Sequence, residues 1–264
     1  LLSLDCLNFI KNYLPWQCLY FLPLPQGQRS FLPTLSSTLL KVSGFSFLLE
    51  TPSAAAFKLV NFARLDPVLQ QRGVKGMSRG SKAEEPVWNE FYDNWDDLAY
   101  TAEKIIAEIK GISIEEASEI ETANLPKEGK ERLTLVKVRI NHEFFRKTVK
   151  LSYDNKCCIT GLSQENLLVA SHIIPWSKSL KHAVNPENGL CLNALHDKAF
   201  DRGLLTISES FKVVLSPELL KKKKDGLIQQ YFISYHGKEV IKPNRFMPNQ
   251  EFLQYHRDKI FLAK

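Results

Sequence analysis

Between Ser171 and Asp201 the chain places several side chains able to move a proton or hold a metal ion. Imidazole titrates near neutral pH, so His172, within the apolar run Leu167-Leu168-Val169-Ala170-Ser171-His172-Ile173-Ile174-Pro175-Trp176, suits a general base. His196, in the first turn of a following helix, suits a metal ligand through one ring nitrogen. Asp201, at the end of that helix, suits orienting a neighbouring side chain or a water. A base, a cation and a rigid frame between them are what phosphodiester hydrolysis requires. Each residue also has a plainer reading. By local pattern alone His172 fits a core position, His196 fits packing on Trp176, and Asn188 before Gly189 fits a turn.

Local pattern also supplies the frame for these side chains. The run around His172 reads as a strand, Ser177 to Glu187 as a loop, and Asn188-Gly189-Leu190-Cys191-Leu192 as a second short strand. Asn193 then caps a helix, Ala194 to Asp201, which Gly203 ends. Upstream, Val138 to Val149 reads as a helix leading to Tyr153 and Cys157-Cys158-Ile159-Thr160-Gly161.

This strand, loop, strand, helix unit resembles the HNH nuclease family. The resemblance rests on Ser171-His172-Ile173-Ile174-Pro175-Trp176, on Asn185-Pro186-Glu187-Asn188-Gly189-Leu190, and on Leu195-His196-Asp197-Lys198-Ala199-Phe200-Asp201-Arg202-Gly203, in the family's order and spacing. The stretches Arg139 to Gly161 and Pro243 to Phe261 look like the restriction-endonuclease branch of HNH proteins. The resemblance spans residues 51 to 264 and is strongest from 138 to 207. It implies an α+β chain in which a mainly helical N-terminal region precedes a C-terminal HNH (ββα-metal) nuclease domain. It further implies cleavage of double-stranded DNA with a divalent cation, magnesium or else manganese, in a setting of restriction or defence. His172, Asn188 and His196 become the catalytic set, with Asn188 bridging backbone groups and fixing the pose of His172. His196, Ser171 and Asp201 become the metal residues.

Ser171 departs from the family pattern, in which an aspartate or histidine often precedes the catalytic histidine. A neutral hydroxyl is a poor ligand for a hard cation, so weak, magnesium-like binding completed by water and phosphate oxygens is expected. The same departure motivates an alternative reading, an HNH-fold DNA-binding protein with impaired catalysis. No structural zinc is expected, because Cys157 and Cys158 are adjacent and only Cys191 lies nearby, which does not make the two Cys-x-x-Cys pairs that some HNH proteins use.

Charge divides unevenly along the 264 residues. Residues 126–264 carry 24 basic and 14 acidic side chains, whereas residues 51–125 carry 8 and 13. The C-terminal part is therefore the one expected to face a polyanion. Arg139, Arg146, Lys147, Lys178 and Lys181 are the expected phosphate contacts; the run Lys221 to Lys224 reads first as a solvated loop. Residues 1–50 form an atypical leucine- and proline-rich segment, expected to be non-native or poorly ordered. Residues 51–125 read as a helical region with a helix-turn-helix remnant over Ala54 to Phe62 and one long amphipathic helix from Pro86 to about Lys110. Residues 126–264 read as the nuclease domain, after a charged linker, Glu115 to Lys130. Five cysteines without paired spacing favour a reducing compartment, and the expectation is a cytoplasmic protein with no membrane partner and scope for a homodimer.

Overall fold

The computed structural model describes residues 39–42, 45–48, 62–71, 73, 84–121, 125–126 and 129–263. The expected helix-turn-helix remnant lies outside them except for Phe62. By its contacts the chain divides into two units, Leu1–Ile140 and Asn141–Lys264.

In the first unit, β1 (Leu39–Val42) and β2 (Phe45–Leu48) pair antiparallel, with Val42 opposite Phe45. A short helix α1 (Pro67–Gln71) precedes α2 (Glu84–Phe91) and α3 (Trp95–Lys110). The single long helix expected from Pro86 is thus two helices. Asp93 takes a left-handed φ of 59° between them, a conformation that aspartate tolerates and that a continuous helix forbids. The apolar stripe continues across the break, with Trp88, Phe91, Trp95, Leu98 and Ala102 buried as expected, and departs only near the end of α3, where Ile106 and Ala107 are buried while Ile105 and Ile109 are half-exposed. Ser113 caps α4 (Ile114–Ala117), and Glu115 pairs with Arg132 at 2.8 Å. Part of the expected exposed linker is therefore tied down.

Helix α5 (Lys130–Ser152) runs from the first unit into the second. Within the second unit, β3 (Leu168–His172) and β4 (Gly189–Asn193) pair antiparallel, with His172 opposite Gly189, and α6 (Ala194–Asp201) follows directly. A second pair, β5 (Leu205–Ile207) and β6 (Val213–Leu215), precedes α7 (Pro217–Lys221), α8 (Gly226–Tyr231) and α9 (Gln250–Lys259). The unit mixes helices with small antiparallel sheets. Its core gathers Phe145 and Val149 from α5, Leu190 and Leu192 from β4, Phe200 from α6 and Leu253 from α9.

Gly189 lets α5 approach the sheet: a Cβ there would stand 2.3 Å from Val149 Cγ2 and 3.1 Å from Phe145 Cζ. Cys158 and Cys191 have no exposed surface. Among the described residues no helix is long and apolar enough to cross a membrane.

Candidate active site

His172 ends β3, one residue before the chain leaves the sheet. Its Nε2 lies 2.9 Å from the carbonyl oxygen of Ala183. A carbonyl only accepts, so Nε2 carries the proton and Nδ1 keeps its lone pair. The ring lies flat on Phe145, with centroids 3.8 Å apart and planes at 10°, and Trp176 meets it edge-on at 5.7 Å. Burial lowers its pKa; the Ala183 carbonyl works against that, and the neighbouring His142 adds to it. The imidazole is therefore neutral at neutral pH, the form a base needs.

Asn188 has no exposed surface. Its Oδ1 accepts from the Ile174 amide at 2.8 Å, and its Nδ2 donates to the carbonyls of Ile174 and His182, each at 3.1 Å. Its own carbonyl accepts from the Ile173 amide. One side chain thus joins the turn after His172 to the loop whose next residue, Ala183, holds the His172 ring.

His196 stands apart from this arrangement. It is 2% exposed. Its Nε2 lies 2.8 Å from the Tyr231 carbonyl, and its Nδ1 lies 2.8 Å from Asn193 Nδ2. The carbonyl fixes the proton on Nε2, and the amide occupies the lone pair on Nδ1. Such a ring has nothing left to give a cation, so the expected metal role does not fit this geometry. Asn193 Nδ2 also reaches Cys157 Sγ at 3.6 Å and Thr160 Oγ1 at 3.4 Å, while Asn193 Oδ1 caps α6 through the His196 amide. Two pairs of the form Cys-x-x-Thr and Asn-x-x-His meet here and brace the unit with hydrogen bonds. His196 is a structural residue of that brace.

The carboxylates lie on α6. Asp197 and Asp201, four residues apart, share one helical face. Burial raises the pKa of both; Asp197 raises that of Asp201 further, and Ser171 draws that of Asp197 back down. Ser171 is 2% exposed, and its Oγ makes no hydrogen bond within 3.5 Å. It nonetheless faces the Asp197 carboxylate closely enough to favour the charged form. Asp197 was not among the expected site residues, although its spacing from Asp201 is the signal that marks it. Among the described residues no three His, Cys, Asp or Glu side chains converge as a metal set.

The expected phosphate contacts divide between the units. Arg146 and Lys147 follow Phe145 on α5, with Glu143 3.7 Å from the first and 3.9 Å from the second. Lys178 and Lys181 are exposed in the loop between β3 and β4. Arg146 and Lys147 are next in sequence to Phe145, and Lys178 follows Trp176 by two residues; Phe145 and Trp176 are the two aromatic residues that meet the His172 ring. Arg139 belongs to the first unit, where it bonds the backbone carbonyl of Glu121.

Residues 157–208 match the model of an HNH endonuclease family. A solved structure described as a modification-dependent TagI restriction endonuclease is similar at 24% identity and a TM-score of 0.27, covering 44% of this chain. The chain spans 37% of that structure's length. No curated protein matches the chain.

Proposed function

We propose that this chain, which carries an HNH endonuclease domain over residues 157–208, hydrolyses phosphodiester bonds within double-stranded DNA with the help of a divalent cation. The observation that carries the reading is His172: a neutral imidazole with Nε2 committed to Ala183 and Nδ1 free to accept a proton from water. Asn188 serves as a positioning residue, because it ties together the two backbone segments that aim the ring.

The donor chemistry around α6 fits a hard cation. Two carboxylates four residues apart are both disfavoured in their charged form by burial, and the buried Ser171 hydroxyl faces the first of them, Asp197. Asp197 and Asp201 would hold the ion with Ser171 adjacent. Magnesium suits a site of one or two carboxylates finished by water and substrate phosphate, and manganese is the alternative. Such an ion neutralises charge that develops on the phosphate. The protein's own part is to keep His172 neutral, to hold the carboxylates on one helical face, and to contact DNA through Arg146, Lys147, Lys178 and Lys181. The setting of restriction or defence follows from the resemblance of the segments that flank the motif.

A nicking assay on supercoiled plasmid with magnesium or manganese tests the reading. Wild type is expected to nick and His172→Ala to bind without nicking. If wild type binds duplex DNA but never nicks it, the alternative reading that Ser171 motivates, DNA binding without cleavage, replaces this one.

A further inference from the structure

A second imidazole stands beside the first. His142, on α5, lies flat on Trp176 with ring centroids 3.9 Å apart and planes at 9°. The same indole turns its edge to His172 at 5.7 Å and 83°. One tryptophan thus carries both histidines, and charge on His142 is felt at His172. Unlike His172 and His196, His142 is exposed, and its ring nitrogens make no hydrogen bond among the described residues. Its face is covered and its edge is open. Arg146, also exposed, follows four residues later on the same helical face.

Stacking of this kind fixes a ring's plane without using its nitrogens. A residue needed only to cover Trp176 could be aliphatic; an imidazole adds an N–H at an exposed position. The chemistry that would use it is a phosphate oxygen, which accepts hydrogen bonds strongly from nitrogen donors. We propose that His142 is a substrate-contacting residue. Its open edge donates to a non-bridging oxygen of the duplex backbone next to the scissile phosphate, with Trp176 as its platform and Arg146 continuing the track to the following phosphate. This inference rests on the nuclease reading above and adds a contact that the family's three motifs do not contain.

The test uses the full chain. Duplex affinity is measured in the His172→Ala background, where binding is separated from cleavage, and plasmid nicking is measured in the wild-type background. His142→Ala is expected to weaken duplex binding by about tenfold, the loss that follows from one hydrogen bond to a charged group, and to slow nicking. His142→Gln, which keeps a side-chain N–H, is expected to recover most of both. Thermal midpoints of the two variants should stay within roughly 2 °C of wild type, as for an exposed position away from the core. If His142→Ala binds and nicks like wild type, the inference is overturned. It is equally overturned if alanine and glutamine are impaired alike, since the ring would then serve only to pack on Trp176. A wild type that neither binds nor nicks duplex DNA overturns the nuclease reading and this inference together; one that nicks while His142→Ala matches it overturns this inference alone.

Discussion

Replacing Asn188 by alanine would remove a fully buried side chain that holds three backbone groups, the amide and carbonyl of Ile174 and the carbonyl of His182. Each such bond contributes about 1 kcal/mol net, and leaving the buried Ile174 amide without a partner adds ~1–2 kcal/mol. The expected loss is therefore roughly 4–5 kcal/mol, a large share of the 5–15 kcal/mol that holds a typical domain. For a unit of this size the thermal midpoint should fall by roughly 10–20 °C. Asn188→Asp sharpens the test. Its oxygen can still accept from Ile174, but the other oxygen would face two carbonyls, which favours the protonated form and raises the folded-state pKa of the introduced carboxyl. Stability from that group is present below its unfolded value, near 3.9, and lost as pH rises through the folded value. Relative to wild type at the same pH, Asn188→Asp should thus look better at pH 4.5 than at pH 7.5. Cleavage by Asn188→Ala, assayed where circular dichroism still shows it folded, should drop by roughly ten- to a hundredfold, the usual cost of losing a side chain that orients a functional group. A variant that melts early yet nicks at the wild-type rate would refute the positioning role; one within about 0.5 kcal/mol of wild type would refute the bridge itself.

Four further outcomes follow. His172→Ala should lose about 10² to 10⁴ in nicking rate with duplex affinity retained, and wild-type turnover would remove His172 from the chemistry. Asp197→Asn should raise the magnesium concentration for half-maximal nicking, while His196→Ala should lose stability and gain nothing from added metal; metal rescue of His196→Ala in a nicking titration would return His196 to the cation. His256 is 1% exposed, stacked on Phe200 and bonded to Thr206 Oγ1 at 2.8 Å, and burial brings its pKa down to about 4. With the folded value below the unfolded one, stability holds above pH 6.5 and is lost as pH falls from there to about 4, by ~3 kcal/mol in all, which urea unfolding at stepped pH would measure; a flat profile in that window would contradict it. Gly189→Ala should cost ~1–3 kcal/mol by pushing Val149 and Phe145 off the sheet, and nicking should fall with it because Phe145 supports His172; a thermal melt matching wild type would show that α5 can yield.

Much of the second unit was legible from local chemistry. Asn193 reads as a cap because a side-chain oxygen before an apolar turn satisfies a free amide, and Asn193 does accept from His196. Gly203 reads as a stop, and it takes a φ of 68° where a Cβ would strike the Ile260 carbonyl. The first unit was less legible at Asp93, because a helix break made by one left-handed residue leaves the apolar spacing on either side nearly intact.

Sequence alone determined the order of the motif segments and the candidacy of His172 and Asn188, since both depend on residue type and on neighbours within a few positions. Which histidine is free to work was decided only by tertiary structure. His196 reads as a ligand until the Tyr231 carbonyl, 35 residues away, takes one nitrogen and Asn193 closes the other. His142 gains its place only when Trp176, 34 residues on, slides beneath it. A ring nitrogen's lone pair is available or spent according to the atoms within about 3 Å of it, and chain folding sets those atoms from a distance that local pattern does not reach.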